Sequence, residues 1–571
     1  MSPVTMRERL VASVREALAE VAPLPGGAGV PAVVHMERPA RPEHGDWSTN
    51  AAMTTAKAAG RAPRELAAAL AEALRADPPD HVSAVEVAGP GFVNFVLDPS
   101  WLHEALGQVV SEGTDGYACP DLGHGERVQI EFVSANPTGP LHVGNGWLCS
   151  YGDALARLMD RCGYRVSREY YVNDTGGQVR KLGQSLLARR RGQSPPEDGY
   201  QGDYLAGLAA DYDGPDTAGP DTAGPDTAGA PWPGGFPALD EDVAAAGRWA
   251  ADRILGHIRT TLEGLGIRFD EWYSQASIEE SGAVEETIAL LAQRDLVYEE
   301  DGALWLRTTA AGDTRDRVLR KRAEKGGDFT YLAGDLAYHR DKFLVRGFDR
   351  VINVWGADHY GQVASLVAGV EALGVEKGRL EVALGQMVSL VSGKMSKRSG
   401  NFVSLDDLVA DIGPGATRLL SLVSSIDQAV TLDLDLVRRE SAENPVYYVQ
   451  YAHARIASIG RVAAARNVVR RPPDQVDLAL LTHERELAVL RSLTELPEVV
   501  ALACAERAPH KVTTWVRDLA GRFHGFYHDC YVMGEGVSPE LTQARLLLVE
   551  GARIGLAVGL ALLGVDAPES M

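Results

Sequence analysis

The sequence predicts a multidomain α/β protein: a Rossmann-like parallel-sheet domain with a helical insertion, an N-terminal α+β domain and a C-terminal all-α helix bundle. Three observations lead there. The 571 residues leave room for three or four domains with substantial cores. Residues 128–134 form an apolar, β-branched run suited to a buried strand, followed by a Pro/Gly-rich turn and helical spacing over 147–159. From about residue 431 the pattern is helical to the end, with apolar runs over 478–496, 512–531 and 544–563.

Taken in order, residues 1–112 open with a helical pattern, continue with an Ala-rich helix to Arg75, and alternate in Val85-Glu-Val-Ala and Phe92-Val-Asn-Phe-Val, which is the signature of a small α+β domain. Gly45-Asp46 with Ser48 and Thr49 reads as a turn and helix cap without chemistry. Residues 113–430 are expected to form the α/β domain, interrupted over about 178–320 by a helical, loop-rich insertion. Inside that insertion, three copies of Gly-Pro-Asp-Thr-Ala begin at Gly214, Gly219 and Gly224. Such Pro/Gly-rich repetition cannot bury a core, so the low-complexity stretch 213–235 is expected to be a surface loop without function. Residues 431–571 form the helical C-terminal domain.

Two segments carry the chemistry. In Asn136-Pro-Thr-Gly-Pro-Leu-His142-Val-Gly144-Asn145, the prolines and glycines hold a tight turn, and His142 falls where a helix N-terminus offers unpaired amides to phosphate. In Lys394-Met395-Ser396-Lys397-Arg-Ser-Gly400, two ammonium groups on a Gly-flanked loop suit the charge that builds on a departing pyrophosphate. Together they describe a site for a nucleotide triphosphate. A third segment, Asp349 to His359, ends a strand at the sheet edge where ligands of this fold bind; Gly356 permits close approach and Asp358 could take ribose hydroxyls.

Composition bounds the rest. A net charge of −22 requires any nucleic-acid contact to be local, since phosphate contacts need Lys and Arg. Candidate basic patches are residues 189–191, 315–325 and 466–471, with Arg455 and Arg461 on the preceding helical run. Five cysteines without C-x-x-C spacing argue against a disulfide framework or a zinc site and fit a reducing cytoplasm. The N-terminus lacks the apolar stretch of a signal peptide, and no run is expected to span a bilayer. The expected protein is therefore cytoplasmic, with no membrane partner, and a monomer.

With these motifs in place, the chain resembles the class I aminoacyl-tRNA synthetases: His142-Val-Gly144-Asn145 matches the first family motif except at its last position, where relatives carry His, and Lys394-Met-Ser-Lys397 matches the second. Glu131 to Pro140, Tyr170-Tyr-Val-Asn-Asp-Thr-Gly176 with Gln178, Tyr331 with Asp335, Gly356-Ala-Asp-His359 and Asn444 to His453 are similar to arginyl-tRNA synthetases over the whole chain. The resemblance implies arginine activation by ATP with Mg²⁺, then transfer to the 3′ end of tRNA(Arg), usually only once tRNA is bound. It implies catalytic roles for His142, Gly144, Asn145, Lys394 and Lys397, and ATP contacts from these with Gly356, Asp358, Met395 and Ser396. Arginine is expected at Ser134, Asn136, His142, Gln275, Tyr331, Asp335 and His359, and anticodon bases at Tyr447, Tyr451, His453 and Arg455.

A guanidinium pocket needs acceptors for five donors and an aromatic wall, and Tyr331 and Asp335, four apart, would share one helix face. Many relatives have Glu where this chain has Gln275, so a charge-assisted bond worth on the order of 1.5–3 kcal/mol is forgone if that position faces the guanidinium. Three other readings share the motifs: a specialised duplicate of the same enzyme, a non-catalytic tRNA-binding regulator, and a small-molecule adenylyl- or nucleotidyltransferase.

Overall fold

A computed structural model describes residues 5–23, 34–39, 41–215, 237–390, 404–432 and 444–567. The last two Gly-Pro-Asp-Thr-Ala copies, beginning at Gly219 and Gly224, and most of the first lie outside the described residues, as do Lys394 to Lys397.

The N-terminal unit begins with α1 (Met6–Val21), closed by a reciprocal cap in which Thr5 accepts from the Glu8 amide and Glu8 accepts from the Thr5 amide. Its antiparallel sheet runs in the order β1 (Met36–Glu37), β2 (Trp47–Thr49), β4 (Phe92–Leu97), β3 (Val82–Ala88), covered by α2 (Ala51–Ala56) and α3 (Pro63–Ala76). Asp46 differs from its expected role: its carboxylate accepts from the Leu97 amide at 2.8 Å, tying the turn to β4 rather than capping a helix. Helix α4 (Ser100–Gly116) then leads into the central domain.

That domain is a five-stranded, all-parallel sheet in the order β12 (Leu380–Gly385), β11 (Arg350–Gly356), β5 (Arg127–Glu131), β6 (Arg165–Val172), β7 (Glu271–Ser274). Four of the five β5 residues are buried, as expected for a strand covered on both faces. The strand ends at Glu131, three residues before the expected limit, because Val133 (φ 70°) and Ser134 (φ 38°) turn the chain through the left-handed region. After β5 the chain passes through α5 (Val143–Arg161) to β6 and β7 on one side; β11 and β12 lie on the other. The switch point therefore falls between β5 and β11.

The insertion is helical only in part. Helices α6 (Gly176–Arg190), α7 (Tyr204–Asp211) and α8 (Pro237–Gly264) pack together, but the chain then returns as β7 to the main sheet. After α9 (Gln275–Glu280) and α10 (Ala283–Gln293) comes an antiparallel sheet of β8 (Val297–Glu300), β9 (Ala303–Leu306) and β10 (Arg317–Arg320). Helix α11 (Tyr331–Arg340) runs on into a π-helical turn, Asp341–Val345, before β11. Beyond α12 (Tyr360–Ala372) and β12, strand β13 (Val388–Leu390) pairs in parallel with β14 (Val430–Leu432), and α13 (Leu405–Ile412) and α14 (Pro414–Ser421) lie between them in sequence.

The C-terminal bundle consists of α15 (Pro445–Ala465), α16 (Glu484–Ala505), α17 (His510–Asp529) and α18 (Pro539–Leu563). Contrary to expectation, α18 is long and apolar enough to cross a membrane by length and composition. Its apolarity is accounted for by position, since 78% of its most apolar window is buried within the protein. Bundle and sheet are joined by Arg418 of α14, fully buried, which pairs with Asp153 of α5 and donates to the carbonyls of Leu563 and Leu265 at 3.0 and 3.2 Å. A side chain at Gly564, which ends α18 at φ 65°, would collide with that guanidinium at 2.1 Å.

Candidate active site

His142 is the N-cap of α5. Its Nδ1 accepts from the Asn145 amide at 3.1 Å, and Asn145 Oδ1 accepts from the His142 amide at 3.1 Å, closing a reciprocal capping box. With Nδ1 accepting, the neutral ring carries its proton on Nε2, as a donor. The buried Asn145 is thus turned back on His142 through Oδ1 and orients it. A Cβ at Gly144 would lie 3.0 Å from the imidazole, close enough that the ring would have to shift by a few tenths of an ångström.

Lys394, Met395, Ser396 and Lys397 lie outside the described residues, but the chain re-enters the described part at this corner. Ser404 forms an antiparallel bridge with His142, and the Leu405 amide donates to the Leu141 carbonyl at 2.8 Å. Ser404 follows Lys397 by seven positions in the sequence.

Gly356, Asp358 and His359 sit at the carboxyl end of β11, next to β5 across the switch point. Asp358 and His359 are exposed on a short 3₁₀ turn, 3.6 Å apart, and the His359 ring lies 5.8 Å from Trp355.

A group of polar side chains gathers at the carboxyl end of β5. Asp335 sits on α11 one turn after Tyr331, which is 82% exposed. Desolvation first, and the charge of Glu131 second, push the Asp335 carboxyl up to about 7, against a lowering by Lys342. Glu131, the last residue of β5, accepts from Lys342 Nζ at 2.6 Å and from the Ser134 hydroxyl at 3.0 Å; the Ser134 Oγ accepts from the Tyr171 amide at 3.1 Å. Two successive non-glycine residues with positive φ cost about 1–3 kcal/mol each. These bonds are what retain them. Asn136 is exposed on the loop leading to His142.

Gln275 belongs to the β7 side of the sheet. It opens α9 at the end of β7, two strands from β5, and donates its amide to Glu279 at 2.8 Å. Asp174 binds the same helix start through the Ser274 hydroxyl and the Ala276 amide.

On the bundle, Tyr447 and Tyr451 stack with centroids 5.6 Å apart, and the Arg455 guanidinium lies 4.3 Å from the Tyr451 ring and 4.8 Å from Tyr527. Arg455 also donates to His524 Nδ1 at 3.0 Å, while His524 Nε2 donates to the Tyr448 carbonyl at 3.1 Å. His453 does not belong to this surface. It is buried, because two residues after Tyr451 a side chain points across the helix. Glu131, Lys342, His524 and Tyr527 were not singled out from sequence; the aromatic spacing Phe523, His524, Phe526, Tyr527 was the available signal for the last two.

A parallel sheet with a capped imidazole corner at its switch point and a separate helical bundle defines the class as a nucleotide-using α/β enzyme with an appended recognition domain. Residues 449–571 match the DALR anticodon binding domain, and residues 8–97 match the arginyl tRNA synthetase N terminal domain. The chain is 43% identical over 545 residues to the arginine–tRNA ligase of Carboxydothermus hydrogenoformans, covering 94% of each. It is 44% identical over 545 residues to that of Moorella thermoacetica, covering 94% of this chain and 93% of the relative. Among solved structures, arginyl-tRNA synthetase from Thermus thermophilus shares the fold with a TM-score of 0.77 at 23% identity, covering 99% of this chain and 100% of that one. The chain belongs to the arginyl-tRNA synthetase family.

Proposed function

We propose that the protein is an arginine–tRNA ligase that activates L-arginine with ATP and transfers it to the 3′ end of tRNA(Arg) for protein synthesis. The observation that carries the reading is the reciprocally capped imidazole corner at the sheet's switch point, joined by hydrogen bonds of Leu141-His142 to Ser404-Leu405. No feature favours a regulator, a small-molecule adenylyltransferase or a specialised duplicate.

In the proposed arrangement, Tyr331 and Asp335 receive the guanidinium, and Ser134 and Asn136 with His359 orient the α-amino and carboxylate groups. The arginine carboxylate is itself the nucleophile on the α-phosphorus, so no covalent enzyme intermediate is required. His142 Nε2–H donates to phosphate, Gly356 and Asp358 take the nucleoside, and Lys394 and Lys397 meet the charge that develops on pyrophosphate. Mg²⁺ is proposed to enter with ATP and to neutralise its phosphates. Tyr447, Tyr451 and Arg455, with Tyr527, offer anticodon bases a stacking surface.

The domains are proposed to divide at about 112 and 430, with the enzyme a cytoplasmic monomer. The test is charging of purified tRNA with each amino acid in parallel. Arginine alone is expected to be esterified; charging with another amino acid, or none, overturns the reading.

A further inference from the structure

Lys342 is a fully buried ammonium that the proposed chemistry leaves unused. It belongs to the π-helical turn Asp341–Val345 that extends α11, a kind of irregularity often found at functional sites. Its Nζ donates to Glu131 Oε2 at 2.6 Å and to Asn353 Oδ1 at 3.3 Å, and lies 4.0 Å from the Tyr338 ring centroid. Two arms of hydrogen bonds leave this point. Through Glu131 one arm reaches the Ser134 hydroxyl and the left-handed turn that delivers Asn136. Through Asn353 the other reaches His339, whose Nε2 accepts from the Asn353 amide at 2.9 Å and whose Nδ1 donates to the Asp335 carbonyl at 2.7 Å. All these donors and acceptors are complementary, as a polarised chain requires.

We infer that Lys342 is a positioning residue for the amino-acid substrate: it joins the turn that holds the α-amino end to the helix that carries Asp335, and it neutralises Glu131 so that the site presents one uncompensated carboxylate to one guanidinium. This rests on the reading of the Asp335 group as the arginine site. The groups facing Asp335 and Glu131 from the surrounding elements leave Lys342 as their shared cation. His339 on α11 is held neutral by burial, Tyr171 on β6 and Tyr338 on α11 are pushed up by desolvation, and Arg346 is engaged by Glu169. The charged groups that act on Tyr171 are Asp335, Glu131, Glu279 and Asp174, all carboxylates. Without Lys342 the Asp335 carboxyl would lose the lowering influence of that ammonium, and burial with the charge of Glu131 would hold it higher still.

The experiment compares Lys342→Met with Lys342→Arg in the charging assay. For Lys342→Met, the arginine KM should rise at least tenfold while the ATP KM stays within twofold. The acid limb of kcat/KM for arginine should move to higher pH by at least half a unit, and Lys342→Arg, which keeps the charge, should hold the wild-type limb. If the Met variant does not fold, Lys342→Gln, whose amide keeps a donor for Glu131, carries the same test. An unmoved acid limb in a folded uncharged variant, or arginine and ATP constants rising together, overturns the inference. Asp335→Asn in the same series separates the two readings: a wild-type arginine KM there defeats the site assignment itself, whereas a raised one beside an unaffected Lys342→Met defeats only the role of Lys342.

Discussion

Replacing Asp335 with Asn keeps the side chain's shape and removes its charge. A charge-assisted hydrogen bond to the substrate guanidinium contributes about 1.5–3 kcal/mol, so the arginine KM should rise roughly 10- to 150-fold. At pH 7 the wild-type carboxyl, held up to about 7 by desolvation and Glu131, is about half protonated, so arginine must displace that proton. Wild-type arginine affinity should consequently improve about tenfold per pH unit below 7 and level off above it, whereas the Asn variant should be flat. Stability should move the other way. A carboxyl whose folded-state pKa exceeds its unfolded value binds protons better when folded, so the fold loses stability as pH rises from about 4 to about 7. The rise from 3.8 to about 7 corresponds to an upper bound of about 4 kcal/mol, which Asn escapes. Thermal shifts at pH 5 and pH 8, beside arginine KM values at both, test this: the variant should gain stability over wild type chiefly at pH 8. An arginine KM within threefold of wild type, or a stability gain larger at pH 5, would refute the reasoning.

Lys397→Ala should cut turnover at least about 100-fold in single-turnover charging while the ATP KM changes less than about threefold, since its charge is matched to departing pyrophosphate rather than to bound ATP. Gln275→Glu should leave the arginine KM within about threefold, because the amide is committed to Glu279 and a carboxylate there would meet a like charge four residues on; a larger improvement would return position 275 to the pocket. Tyr451→Ala should raise the tRNA KM by about 5- to 150-fold, the loss of one stacked base, with arginine and ATP constants unchanged. Equal loss in all three constants would show that the ring serves folding instead.

How much of this was readable from residues alone depended on how local each cause is. The imidazole corner was legible because a strand, a Pro/Gly turn and a helix start are all written within thirty-odd residues, and because Tyr331 and Asp335 are separated by one helical turn. The end of β5 was not, since Val133 and Ser134 read as extended, whereas the Ser134 amide's hydrogen bond to Phe132 and its hydroxyl bonds with Glu131 and Tyr171 tie down a turn at positive φ. The β8–β9 hairpin carried a local sign that a helical reading of the insertion passed over: Asp301 (φ 51°) and Gly302 (φ 70°) form the two-residue Asp-Gly turn that suits right-twisted strands.

His453 shows the same periodicity applied incompletely. Tyr447, Tyr451 and Arg455 fall at intervals of four and share a face, and the rule that groups them also sends position 453 into the bundle. Lys342 lies at the far limit of legibility. Lysine is almost never fully buried unless paired, and its partner Glu131 is 211 positions away on another element. In sequence, Asp341-Lys342-Phe343 is an ordinary solvated charge beside a core aromatic. Only the parallel register of β5 with β11, which sets Asn353 opposite Glu131, gives that ammonium its acceptors and makes the charge of the site a property of the fold.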